Sequence, residues 1–296
     1  MAVSVARTLR ADLMLGESPR WHDGRLCVSD MYAGEVLALD LDGNRETVVA
    51  VPGRPGGLGW LPGGDLLVVS MRNAAVMRFD GAALHHVVTL GSALLNDMVV
   101  AADGRAYVGG LPDIEALLAD RPHPGAALEL PPDNVYLVEL GDEGASHRIA
   151  ADDVNLPNGA VITAEGRQLI VAETLGRRLL AFEIDEIGSL TNRRVWAELD
   201  FMADGICLDA EGCVWVAAPE PSDARGFWRV AEGGEIKERV ASDRHAVAVM
   251  LGGPEGDHLF MLEASAMSVD RAAEIGVPGN SRVTVARVEV PGAGLP

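Results

Sequence analysis

A tight turn followed by a short apolar run occurs six times in this chain, and no other feature limits its fold as strongly. The turns are Asp23-Gly24, Gly63-Gly64, Asp103-Gly104, Glu165-Gly166, Glu211-Gly212 and Glu255-Gly256. Their second glycines lie 40, 40, 62, 46 and 44 residues apart. The runs that follow, such as Asp65-Leu66-Leu67-Val68-Val69-Ser70 and Cys213-Val214-Trp215-Val216-Ala217, are short, rich in β-branched and aromatic residues, and bounded by turn formers. They read as strands. A third strand follows each, as in Glu35-Val36-Leu37-Ala38-Leu39, and a fourth often trails it, as in Glu46-Thr47-Val48-Val49-Ala50. A four-stranded unit repeated about every forty residues is a propeller blade.

The expectation is therefore an all-β chain, one six-bladed β-propeller domain over residues 1–296. A ring of sheets must close or leave a bare edge. The run Val3 to Leu9 is placed as the strand that closes the last blade, beside Ser281 to Ala286. A pair of β-sandwiches without a ring is the structural alternative, and the regular turn spacing argues against it. Helical periodicity is confined to Asp113 to Asp120. The 62-residue spacing locates an insertion at about 111–133, whose Ile114, Leu117, Leu118, Leu128 and Leu130 suit a lid or a contact between two copies.

The chain carries a net charge of −20, which disfavours nucleic acid and anionic membranes as partners. It has neither a secretory leader pattern nor a run of ~18 apolar residues. Cys27, Cys207 and Cys213 lack zinc-site spacing and read as reduced core thiols of a cytoplasmic protein. Ser18 and Ser70 lack a nucleophile elbow, and Gly53-Arg-Pro-Gly-Gly lacks the lysine of a phosphate loop.

In a propeller each innermost strand begins at the central channel. Counting back seven residues from each turn glycine gives Glu17, Gly57, Asp97, Gly159, Gly205 and Val249, with Asn96, Asn158 and Asp204 one position earlier. Singly, these heads are ordinary turn formers. In register, Glu17, Asn96-Asp97, Asn158 and Asp204 bring carboxyl and amide oxygens from four blades to one level. Such a set suits a hard divalent cation. With coordination positions left open, the cation would polarise a carbonyl, and Asp204 or Asp97 would take a proton. A purely structural calcium in the channel is the competing reading. His245 could face the channel at blade six; His85-His86 and His123 read as surface and insertion residues.

At these same residues the sequence resembles the regucalcin (senescence marker protein)/gluconolactonase/luciferin-regenerating-enzyme family of six-bladed propellers. The resemblance rests on Leu15-Gly-Glu-Ser-Pro-Arg-Trp21, Asn96-Asp97 with Asp103-Gly104-Arg105, Leu156-Pro-Asn-Gly159 with Val171-Ala-Glu-Thr174, and Ala203-Asp-Gly205 with Asp209-Ala-Glu-Gly212. It implies metal ligands at Glu17, Asn158 and Asp204, a substrate-facing asparagine at Asn96, and lactone hydrolysis with Asp204 as base. It also implies a lid at 111–133. Sugar-lactone members carry an arginine where this chain has Leu94, and usually a glycine where it has Met98. Losing a guanidinium and gaining apolar bulk argues against a polyhydroxylated sugar lactone.

The expected protein is thus a metal-dependent lactonase or esterase with one cation, calcium first and Zn2+, Mn2+ or Mg2+ as substitutes. Glu17, Asn158 and Asp204 hold the metal, Asp204 and Asn96 are catalytic, and Asn96, Asp97, Leu94 and Met98 meet a small-molecule substrate. It would act as a monomer or homodimer. A calcium- or metabolite-binding regulatory propeller and a phosphotriesterase-like propeller remain the alternatives.

Overall fold

In the computed structural model, which describes residues 6–119, 130–141, 144–220, 223–267 and 272–296, the strands form six four-stranded antiparallel sheets. Five sheets take their strands in chain order, from inside outward: 16–50, 55–89, 94–154, 157–198 and 206–241. These are blades 1 to 5. Blade 6 takes three strands from 245–287 and its outermost, Arg7–Leu13, from the other end of the chain. That strand runs antiparallel to Ser281–Arg287, with Arg7 opposite Val285. The inner strands are Gly16–His22, Pro55–Trp60, Leu94–Val100, Pro157–Ile162, Ile206–Leu208 and His245–Gly252. They pack against one another in cyclic order, the first against the last. The fold is a six-bladed β-propeller closed by its N-terminal strand. That strand lies further along than expected, and Val3, Ser4 and Val5 fall outside the described residues.

The repeat is visible in the backbone. Gly24, Gly64, Gly104, Gly166, Gly212 and Gly256 all have φ between 68° and 93°, a region that strains residues with a Cβ. A Cβ at Gly24, Gly64, Gly166 or Gly212 would meet nothing within 4 Å, so the dihedral and not the space selects glycine there.

Three other glycines answer to space. A Cβ on Gly57 would lie 2.2 Å from the Met98 nitrogen, on Gly159 2.6 Å from the Ile206 nitrogen, and on Gly205 2.5 Å from the Ala248 Cβ. Inner strands of consecutive blades therefore meet almost backbone to backbone, which keeps the centre narrow. Gly205→Ala is expected to cost about 1–3 kcal/mol through overpacking, seen as a lowered midpoint of thermal unfolding. An unchanged melt would refute this close approach.

The second strands, such as Leu66–Ser70 and Val214–Ala218, are buried throughout because neighbouring blades cover both faces. Outer strands such as Arg45–Ala50 are largely exposed. The three cysteines are free and buried, and burial pushes the Cys27 thiol up to about 12. They are core residues.

The helix expected near 113–120 is present as Ile114–Ala119, with Asp113 Oδ1 accepting from the Ala116 nitrogen at 3.0 Å. A second short helix, Ala272–Ile275, lies in blade 6. Of the 111–133 insertion, where a lid is expected, residues 120–129 lie outside the described residues.

After blade 6 the chain crosses the end of the ring where the inner strands finish. Ala210 donates to Pro291 O at 2.9 Å, Ala293 to Leu208 O at 3.0 Å, and Leu295 exchanges two bonds with Ile162 at 2.7 and 2.9 Å. This segment joins blades 6, 5 and 4 on the face opposite the inner-strand heads.

Candidate metal centre

The inner strands do not enter the ring as regular ladders. Five of the six slip register against their second strands near the head: between Glu17 and Arg20, Pro55 and Leu58, Leu95 and Met98, Pro157 and Ala160, and Ala246 and Ala248. Such bulges re-aim side chains at strand ends. Glu17, Asn96-Asp97 and Asn158 sit within three of these slips, and Asp204 lies just before the short strand Ile206–Leu208. The backbone after Glu17 turns through Ser18 at φ 47°, and the Ser18 nitrogen donates to Glu17 Oε2 at 2.9 Å. In blade 6 the residue level with Gly205 is Val247, whose carbonyl accepts from the Gly205 nitrogen at 3.0 Å. The count to Val249 ran two residues too far because that inner strand is longer.

The heads are tied to one another across blades. Asn96 Nδ2 donates to Pro157 O at 3.1 Å. Asn158 Nδ2 donates to Thr174 Oγ1 at 3.2 Å, and Thr174 Oγ1 donates to Ala203 O at 2.7 Å. Asn158 also hydrogen-bonds the Asp204 carboxylate. With its nitrogen committed to those acceptors, Asn158 leaves Oδ1 for a cation.

The two carboxylates of the set are electrostatically unhappy. Burial pushes Asp204 up to about 8; its bond from Asn158 opposes this and the charge of Asp97 adds to it. Glu17 keeps a face toward the channel but is surrounded by protein, and burial drives it well above the usual carboxylate range, helped by the charges of Asp204 and Asp97. The Ser18 N–H and the Arg20 guanidinium pull the other way.

Asp97 is engaged elsewhere. Its Oδ1 accepts from Arg20 Nη2 at 2.8 Å and from the Met98 nitrogen at 2.8 Å. Arg20, almost fully buried, also donates to Leu58 O at 3.0 Å, Pro19 O at 2.9 Å and Met98 O at 2.7 Å. It thus binds blade 1 to blades 2 and 3 directly beneath the heads.

Glu17, Asp97 and Asp204 bring three carboxylates to this centre, and the Arg20 guanidinium pairs with Asp97. The two negative charges left over are what a divalent cation would neutralise. Among the described residues no three His, Cys, Asp or Glu side chains converge as a ready-made metal cluster. The convergent oxygens are those of Glu17 and Asp204 plus the amide of Asn158. That donor set fits a hard cation with positions left open to solvent or substrate.

The structure brings Glu17, Asn96, Asn158 and Asp204 to one mouth. Leu94 is half-buried at the same rim, two residues before Asn96. Met98 corrects a sequence expectation: it has no exposed surface and fills the core against Gly57, because the bulge turns it away from the channel. His245 heads the inner strand of blade 6, its Nδ1 2.7 Å from Pro219 O. Arg20 and Thr174 were quoted in sequence motifs but given no role.

Comparison with known proteins agrees with this architecture. The family model described as "SMP-30/Gluconolactonase/LRE-like region" matches residues 15–265. Regucalcin of Xenopus laevis is 23% identical over 214 residues, covering 69% of this chain and 68% of that protein. Among solved structures, a calcium-binding protein, regucalcin, of Agrobacterium tumefaciens superposes with a TM-score of 0.78 at 19% identity, covering 99% of this chain and 97% of that one. A gluconolactonase of Xanthomonas campestris gives 0.74 at 20% identity, covering 97% and 90%. With its six blades, the position of its inner-strand heads and a family match over most of its length, the chain belongs to the SMP-30/gluconolactonase/LRE-like family.

Proposed function

We propose that this protein is a divalent-cation-dependent hydrolase that opens a small lactone or related ester. The observation that carries this reading is the pair of carboxylates, Glu17 and Asp204, both driven upward by burial, beside the Asn158 amide at the heads of the inner strands. Glu17, Asn158 and Asp204 would hold the cation, calcium being the first choice for an all-oxygen set. A cation there supplies Lewis-acid polarisation of the ester carbonyl.

The chain's own residues do the rest. Asn96, fixed by its bond to Pro157 O, positions the ester over Asp204. Asp204 takes a proton from the attacking water as the water oxygen bonds to the carbonyl carbon. The ring C–O bond then breaks, and that proton passes to the departing alkoxide. Asp97, held by Arg20, contributes charge beneath the site. Leu94 in place of a cationic side chain favours a substrate poorer in hydroxyls than a sugar lactone. We propose a single catalytic domain with one such site.

A lactone and ester panel followed by proton release tests the reading. Turnover is expected with added Ca2+, Mn2+ or Zn2+, and loss of at least ~100-fold on chelation, reversed by adding the cation back. A second reading is favoured by likeness to a regucalcin described as calcium-binding: a regulatory calcium-binding propeller. Tight calcium binding without turnover across the panel would decide for it.

A further inference from the structure

The site mouth has a second, apolar half. Leu94, Leu156 and Met71 stand beside Asn96, and Met31 and Ile114 pack on the same buried cluster as these three. Leu94 precedes Asn96 by two positions on the same strand, and both are half-buried while Leu95 between them is buried. Leu156 directly precedes Pro157, whose carbonyl holds the Asn96 amide. Met71 and the Asn96 backbone meet over Gly56, where a Cβ would lie 2.9 Å from Met71 Cγ and 2.7 Å from Asn96 O. Met31, Leu94, Ile114 and Leu156 are half-buried and pack on one buried cluster that includes Met71, Leu95 and Leu111. The elements that carry them all end at the face of the inner-strand heads: the turns after the second strands of blades 1 and 2, the entries to blades 3 and 4, and the helix Ile114–Ala119.

Leu156 adds an independent mark. It is held at φ 64°, a conformation that costs a leucine free energy. Its carbonyl accepts from the Thr174 nitrogen at 3.2 Å, which holds the turn in place. Asparagine would adopt that φ with less strain, yet the position carries an apolar side chain at the edge of the site.

We infer that this wall seats an apolar substituent of the substrate, so that the enzyme acts on lactones or esters bearing an alkyl or aryl group next to the reacting ring. The inference rests on the hydrolase reading. Thioether and methyl groups would desolvate the hydroxyls of a polyol without replacing their hydrogen bonds, whereas they bury methylenes favourably. Methionine at two of the five positions adapts to substituents of different shape.

The test is a homologous series from γ-butyrolactone to γ-octalactone, assayed with calcium or manganese supplied. In the wild type, kcat/KM is expected to rise about threefold per added methylene. Leu94→Arg and Leu156→Asn, the second chosen because asparagine accepts the left-handed backbone, are expected to reduce the long-to-short ratio at least tenfold. Measurable turnover that is flat or falls with chain length overturns the apolar wall and leaves the hydrolase reading standing. No turnover of any member, with the cation supplied, overturns the hydrolase reading and the wall with it.

Discussion

Asp204→Asn is expected to leave a folded protein whose lactone turnover has fallen by ~10³-fold or more, through joint loss of a cation ligand and a proton acceptor. The same substitution is expected to stabilise the cation-free protein at alkaline pH. The sign follows from burial. The Asp204 carboxyl titrates at about 8 in the fold, against about 4 when unfolded. Between those values the folded chain holds a proton that the unfolded chain has released, so stability falls as pH rises from about 4 through about 8. Glu17 is displaced in the same direction and adds to the trend. Thermal melts in chelator at pH 5.5 and 8.5 give the check. Wild type should lose several degrees between the two, Asp204→Asn should lose less, and added Ca2+ should restore the wild type at pH 8.5. If Asp204→Asn proved the less stable protein at pH 8.5 in chelator, the uncompensated charge would not exist.

The other large effect is structural. Arg20→Ala removes a buried cation that neutralises Asp97 and satisfies three backbone carbonyls. Breaking such a pair from one side costs about 3–5 kcal/mol, because it leaves a buried charge unpaired. In a chain of this size that is a large share of a total near 5–15 kcal/mol. The loss should appear as a midpoint lower by roughly 10 °C. Arg20→Met with Asp97→Leu should recover much of it, since no charge then remains without its partner. Additive losses in that double-mutant cycle would show that the two residues act independently.

The propeller was legible because its signals are local. A turn glycine and the strand after it lie within ten residues, and six repetitions multiply a weak signal. The heads were legible for the same reason: once the repeat is aligned, Glu17, Asn158 and Asp204 fall in register without knowledge of any contact. What escaped was pairing between blades. Nothing near Arg20 in sequence announces that it reaches Leu58 and Asp97. Met98 is expected at the substrate because it stands where sugar-lactone relatives usually carry glycine, and the bulge between Leu95 and Met98 carries no strong sequence mark. The bonds of residues 291–296 to Leu208 and Ile162 likewise join segments far apart in sequence.

The closure of blade 6 has a consequence for how the molecule is made. Among the described residues Arg7–Leu13 pairs with Ser281–Arg287, so a strand made before blades 1 to 5 is among the last to be used. During synthesis blades 1 to 5 can assemble from neighbouring segments, while this strand waits with an unpaired edge. The final step joins sequence-distant ends at an entropic cost that grows only slowly with the length of the intervening chain. Slow late maturation, and exchange of the first strand between two unfinished chains when they are crowded, are the failures such a ring invites.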